Sequence, residues 1–252
     1  MTAVEITLLI AIGIGGGAWN AIAGGATLLT FPALMALGLP PLVANATNYL
    51  ALLPSNAAAL PAYVQELRSI GRTLLPLLLV SGLGALAGSG LLLISDPAVF
   101  EVLIPALILL ATGLFAFGER LRVRLLALVG EARSTTMVYA VLFLASIYGG
   151  YFGAGLGIIL LAIAQILGFA EFHIANSIKN LLATSFVILS VMVFGLGGLI
   201  AWPQALVMML GSTLGGYAGG RLAKRVNPDH LRRLVIVFGL VLSAVYLIRL
   251  AG

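Results

Sequence analysis

Apolar residues fall in long blocks separated by short polar interruptions, at about 6–22, 26–39, 42–64, 73–94 and 98–118, then at 136–152, 156–168, 172–199, 203–220 and 231–250. Uninterrupted blocks of about 20 apolar residues predict helices that cross a bilayer. The second block of each series is too short for that. Fourteen helical residues rise about 21 Å, against about 30 Å of hydrocarbon. With the block before it, each predicts a re-entrant or broken hairpin, with two tilted full spans as the alternative. Residues 6–22 are preceded only by Glu5, so the basic n-region of a signal peptide is missing and this block is expected to stay in the fold. Between the two series the segment from Glu119 to Arg133 carries Arg120, Arg122, Arg124 and Arg133, and predicts a linker outside the hydrocarbon.

The succession long, short, long, long, long occurs twice, which calls for a test of internal duplication. At a constant offset of 131 residues, Val43-Ala44-Asn45 falls on Ile174-Ala175-Asn176, LGALAG from Leu83 falls on LGGYAG from Leu214, and Asp96-Pro97 falls on Asn227-Pro228. Ala23-Gly24 falls on Ala154-Gly155 in the same register. Loop charge then sets the relative orientation, because Lys and Arg are retained on the cytoplasmic side. The loop after the third block holds Arg68 and Arg72, whereas its counterpart near residues 197–203 has no base. The loop after the fourth block holds Asp96, whereas its counterpart holds Arg221, Lys224, Arg225, Arg232 and Arg233. Equivalent loops are therefore expected on opposite sides of the membrane. The expected organisation is a first transmembrane repeat at 1–118, a cytoplasmic basic linker at 119–135 and an inverted second repeat at 136–252. Inverted repeats are a recurrent transporter plan, with the substrate near the midplane where the copies meet.

Composition agrees with this reading. Of the 252 residues 62% are hydrophobic and 8% charged, whereas soluble domains are about a quarter charged. The chain reads as an all-α polytopic membrane protein of two inverted-topology repeats, each a short broken or re-entrant helix pair plus three spanning helices. The net charge of +5 sits in loops, where membrane orientation accounts for it, so no nucleic-acid partner is expected. The absence of cysteine removes disulfides, thiolate metal sites and cysteine nucleophiles. No metal or cofactor is expected.

Polar residues inside the blocks carry the candidate chemistry. The third block reads ANATNYLALLPSN in the first series, with Asn45, Thr47, Asn48, Ser55 and Asn56, and HIANSIKNLLATS in the second, with His173, Asn176, Ser177, Lys179, Asn180, Thr184 and Ser185. Asn45 and Asn48 are three apart, as are Asn176 and Lys179, so each pair shares a helical face. Burying a lysine in a bilayer costs about 2.5–3.5 kcal/mol even on the insertion scale, so Lys179 either snorkels to the interface or faces a cavity as a cation for a small oxyanion. Asn45 and Asn176 either glue helices together or contribute amide donors to that site. Pro54 either kinks its helix by freeing a carbonyl near Leu50 or is an incidental bend. The glycine breaks at Ala23-Gly24-Gly25 and Gly153-Ala154-Gly155-Leu156-Gly157 either pack helices closely or present N–H groups and half-helix dipoles to an anion. The small-residue faces at 83–88 and 214–220 suit packing within one chain or between protomers. His173 and His230 read as interfacial, as does Trp202 at the start of a block, and Glu101, a few residues from a block end, is either interfacial or a proton carrier.

The run NAIAGGATLLTFPALMALGLPPLVANATNYL, repeated in weaker form as GGYFGAGLGIILLAIAQILGFAEFHIANSIKNLL, resembles the sulfite exporter TauE/SafE family of membrane permeases across essentially the whole chain. Its most specific elements are the glycine-rich first helix, the short block ending in Gly-Leu-Pro, and Ala-Asn-Ser-Ile-Lys-Asn in the second half. The resemblance implies a sulfur-containing anion such as sulfite or a sulfonate, with Asn45, Asn176 and Lys179 in the permeation pathway. The thiosulfate-handling branch looks built around cysteines, which this chain lacks.

The expected function is a secondary transporter in the cell membrane, the inner membrane in a bacterium, moving a small anion by alternating access. Its candidate substrate-binding residues are Asn45, Asn48, Asn176, Lys179, Asn180, Gly24, Gly25 and Gly155. Coupling to a proton or a sodium ion and the oligomeric state are left open. An anion channel is the alternative, although it would need a continuous polar lining. An intramembrane enzyme is disfavoured, because neither carboxylate and histidine sets nor HExxH or GxSxG occur within the blocks.

Overall fold

The computed structural model describes residues 1–22, 25–57, 60–132, 135–169, 171–222 and 228–251. Every regular element among them is helical. The order is α1 (Ala3–Ile22), α2 (Thr27–Ala36), α3 (Pro41–Ala57), α4 (Val64–Ile70), α5 (Leu74–Leu93), α6 (Pro97–Ala132), α7 (Thr135–Tyr151), α8 (Leu156–Ile166), α9 (Phe172–Leu196), α10 (Trp202–Leu222) and α11 (Pro228–Ala251), with 3-10 turns at Leu60–Tyr63 and Gly71–Thr73. Among the described residues, four stretches are long and apolar enough to cross a membrane: Ala3–Ala21, Val64–Leu93, Pro97–Leu121 and His173–Leu196.

The short elements form where the sequence reading places them. α2 and α8 have 10 and 11 residues, about 15 and 17 Å of rise, well short of the hydrocarbon thickness. α2 ends in a Leu37-Gly38 turn with Gly38 at φ +91, a left-handed position that glycine adopts at least cost. Gly168, at φ +95, ends α8 in the same way.

Two expectations are modified. The third block of the first series is not one helix: α3 passes through Pro54, stops at Ala57, and is followed by a 3-10 turn and α4. The proline ring removes an internal hydrogen bond one turn before the stop. The residues read as a linker, 119–132, continue α6 as helix, so that α6 spans 36 residues. Arg133, Lys224, Arg225 and Asn227 lie outside the described residues.

Packing crosses between the halves. α1 lies along α10, and α7 lies along α5; α3 and α9 meet each other, and α6 meets α11. Both long pairs are made by small residues. Gly13 and Gly17 of α1 face Gly211 and Gly215 of α10 so closely that a methyl group on Gly215 would collide with the Ile14 carbonyl. Gly84 and Gly88 of α5 meet α7 at Phe143, Ser146 and Ile147. Glycines spaced by four let backbones approach and gain dispersion energy, which drives association where lipid leaves no hydrophobic drive. These faces therefore pack within one chain. Outside, leucines of α5 and α10 such as Leu79, Leu83, Leu210 and Leu214 are exposed, as hydrocarbon solvent requires. Inside, Thr30, Asn45, Asn48, Ser81, Ser146 and Ser212 are buried, and Ser212 donates to the Ala51 carbonyl across α10 and α3.

Candidate functional site

The chain between α1 and α2 and between α7 and α8 turns through glycines at positive φ, Gly25 at +74, Gly153 at +71 and Gly155 at +79. An L side chain there would be strained, so glycine at these positions lets the half-helices begin where they do. Both breaks open onto one cavity of about 550 Å3. Its walls come from the end of α1, the start of α2, α3, the turn at 60–63, α6, the α7–α8 turn, α8 and α9.

The second break gives this cavity its charge. Gly155 is the left-handed cap of α8, and the amides of Ala154, Gly155 and Gly157 make no backbone hydrogen bond to a described residue. The carbonyls of the turn are occupied instead: Tyr148 donates to Ala154 at 2.7 Å and Tyr49 donates to Gly149. What faces outward from the turn is therefore N–H and the positive end of α8. Lys179, two turns into α9, runs its aliphatic chain past Gly157, where a Cβ would lie 3.7 Å from the lysine Cδ. It lines the cavity and is the one charged residue among the described lining residues. Among the described residues its ammonium has no hydrogen-bond or ion-pair partner, and Asn180 beside it has none either. A lysine ammonium and a helix N-terminus on one cavity form a donor set that is able to receive an anion.

The predicted site residues separate into three groups. Lys179 and Asn180 line the cavity with their side chains uncommitted, as far as described residues go, and Gly25 and Gly155 line it with their carbonyls taken by the amides of Leu28 and Ile158. Asn48 and Asn176 line it too but are engaged: Asn48 donates to Thr27 Oγ1 at 3.2 Å and accepts from Thr30 Oγ1 at 2.6 Å, while Asn176 donates to the Tyr63 hydroxyl at 2.7 Å. Asn45 does not line the cavity. It is 0% exposed and donates to the Tyr151 carbonyl at 2.9 Å. Its neighbours are the α7 backbone, and its role is to join α3 to α7. Gly24 lies outside the described residues.

Several lining residues escaped the sequence reading. Asn20 donates to Ser55 Oγ at 2.9 Å and to Asn56 Oδ1 at 3.0 Å, closing a polar end of the cavity between α1 and α3. Its signal was present, a lone amide in an apolar block just before a glycine break. Tyr63 had no such signal, since a tyrosine near a block end reads as an interface anchor. Trp19 lies in a separate apolar crevice with Leu28, Leu29, Leu234 and Phe238, which shares only Gly25 with the main cavity.

A family model described as sulfite exporter TauE/SafE matches residues 9–247. The chain is 31% identical to a probable membrane transporter protein of Haemophilus influenzae, over 95% of this chain and 93% of that one. It is 29% identical to the probable membrane transporter protein ORF9 of a Sinorhizobium species, over 89% and 85% of the two chains. It is also 29% identical to the probable membrane transporter protein YfcA of Escherichia coli K12, over 89% and 83%. No solved structure matches the chain.

Proposed function

Because the chain belongs to the sulfite exporter TauE/SafE family, a family of membrane transporters and not of enzymes, we propose that it is a secondary transporter that binds a small anion between Lys179 and the N-terminus of α8. The observation that carries this is the pairing, on a single cavity, of a lysine that has no acidic partner among the described residues with backbone amides that are unspent among them. Moving an oxyanion out of water is costly, and charge-assisted hydrogen bonds from the ammonium, the Asn180 amide and the glycine amides offset it. A sulfur oxyanion such as sulfite, or a sulfonate, suits this donor set, because its oxygens accept from several directions at once.

The proposed mechanism is alternating access around this site, driven by a proton or sodium gradient. It rests on two inverted copies, residues 1–118 and 136–252, joined by a basic linker at 119–135 on the cytoplasmic side. The exchange of partners between halves, α1 with α10 and α7 with α5, supports duplication. The absence of native cysteine makes single-cysteine labelling clean. Asp96→Cys and Arg221→Cys are expected to react from opposite compartments, and labelling from the same side would rule out inversion.

The deciding experiment is a panel of sulfite, sulfate, thiosulfate, sulfoacetate and simple carboxylates, measured by thermal stabilisation and by uptake into liposomes. At least one anion is expected to stabilise the protein and to be carried in a Lys179-dependent manner. Stabilisation by none would remove the anion reading, and large single-channel currents would replace the transporter with a channel.

A further inference from the structure

The two ends of the cavity differ. Asn20, Ala21, Asn56, Tyr63 and Lys179 are half-buried or exposed, whereas Asn48, Tyr49, Leu52 and Phe152 are buried, so the cavity is a cup with a mouth and a blind end. The mouth lies with the bases. Tyr63 leads directly into α4, which carries Arg68, and Ala18 near the end of α1 packs against Gly219, two residues before Arg221. The blind end lies with Asp96. There Phe31 of α2 meets Phe100 of α6 and Phe152 edge-on, with ring centroids 6.4 and 5.5 Å apart, and Phe100 meets Tyr151 at 5.6 Å. The three phenylalanines are fully buried, and of the four rings only Phe152 also lines the cavity. The Tyr151 hydroxyl lies 3.4 Å from Ser95 Oγ, beside Asp96, and the Ala201 amide donates to Thr47 Oγ1 at 3.0 Å, so this plug is seated against the loops of its own side.

The offset of 131 residues shows what stands in the corresponding places at the mouth. It puts Asn20 in place of Tyr151, Ala21 in place of Phe152, Ala162 in place of Phe31 and Leu231 in place of Phe100. None of the four is aromatic, and Asn20 and Ala21 line the mouth itself. Rings serving only as core would be expected at both ends of a duplicated bundle. Edge-to-face contacts stabilise beyond the burial of their area, so parting the plug loses ring contacts that closing the mouth does not return.

We infer that Phe31, Phe100, Tyr151 and Phe152 are the gate of the Asp96 end, and that the unliganded protein rests open at the Arg68 end because the corresponding positions there carry no rings. This rests on the alternating access proposed above and assigns it a gate and a resting state.

The chain has no native cysteine, so one introduced thiol reads the state. Ala183→Cys, on the α9 wall of the cavity, is treated with a membrane-impermeant maleimide from one side of the vesicle at a time, with no anion added. Labelling from the Arg68 side is expected to be faster than from the Asp96 side by about tenfold or more. Adding Phe31→Ala, which removes two of the three ring contacts, is expected to raise labelling from the Asp96 side about tenfold. Phe31→Leu, expected to raise it roughly threefold, serves if the alanine variant does not fold. Phe100→Cys, buried while the plug is shut, is expected to react slowly and from the Asp96 side alone. Three results each overturn the gate and leave the rings as static core: equal labelling of Ala183→Cys from both sides, unchanged Asp96-side labelling in a folded Phe31 variant, or a Phe100→Cys thiol that never reacts. The Asp96→Cys and Arg221→Cys pair reports the parent reading separately. If those two react from one side, inversion falls and the gate falls with it; if they react from opposite sides while Ala183→Cys labels equally from both, only the gate is rejected.

Discussion

α3 and α9 occupy corresponding places in the two halves and share the Ala-Asn start, yet they put their polar residues to different use. In α3, Asn48 is held between Thr27 and Thr30, and Asn45 is held by the α7 backbone. Both are at most 1% exposed. In α9, position 179 is a lysine where the offset places Asn48, and neither it nor Asn180 is tied to a described residue. The helices also end differently: α3 stops at Ala57 after Pro54, whereas α9 runs unbroken to Leu196. One copy has tied Asn48 and the Asn45 amide nitrogen into the bundle, whereas in the other Asn176 is tied to Tyr63 and Lys179 and Asn180 are left untied among the described residues. The proposed duplication would make such a division available, because an equivalent position need not do the same work twice.

The largest effect that would sharpen this contrast is at Lys179. Lys179→Ala removes one charge-assisted partner, about 1.5–3 kcal/mol, so anion affinity measured by uptake or calorimetry is expected to fall roughly tenfold to hundredfold. Asn48→Ala, at the corresponding place, is expected to change affinity far less while lowering thermal stability. Equal losses of affinity would break the distinction. Gly155→Ala comes next. It forces a Cβ into a left-handed position, at a cost of about 1–2 kcal/mol, and places it 3.3 Å from the Leu114 side chain. Lower melting temperature and weaker anion binding are expected together, since the same turn aims the α8 amides.

Asn45→Ala is expected to cost about 1 kcal/mol of stability, seen as a lower melting temperature in detergent, with unchanged anion KM in the protein that folds. A raised KM would return Asn45 to the site. Tyr63→Phe is smaller again. It removes the acceptor for Asn176 but keeps the ring, so a change in transport of less than about tenfold with normal stability is expected. Arg68→Ala, on an exposed segment outside the cavity, is expected to leave transport unchanged.

Much of the architecture could be read from the chain because hydrocarbon leaves few options. Backbone groups without water must be satisfied within helices, so block length and glycine position place α1, α2, α7 and α8 to within a few residues. The candidate site was partly legible for the same reason: a lysine in an apolar helix needs a wet or anionic neighbour, and Lys179 has the cavity. Asn45 and Asn48 were not separable by spacing, because three residues place both on one face. The partner of each is set instead by which helix crosses at that height, α7 for one and α2 for the other. Tyr63 was hidden because its place depends on α3 stopping early, which Pro54 allows without dictating.

The glycine contacts between α1 and α10, and between α5 and α7, bear on how such a molecule can move. Main chains that touch have no rotamers to exchange, so each of these couples slides only at the expense of its whole contact and behaves as one stiff blade. Each blade takes one helix from either half of the sequence. On the proposed alternating-access mechanism, opening toward one aqueous side or the other would therefore run along the looser seams, where side chains rather than backbones meet, and not along the boundary between the two halves of the sequence.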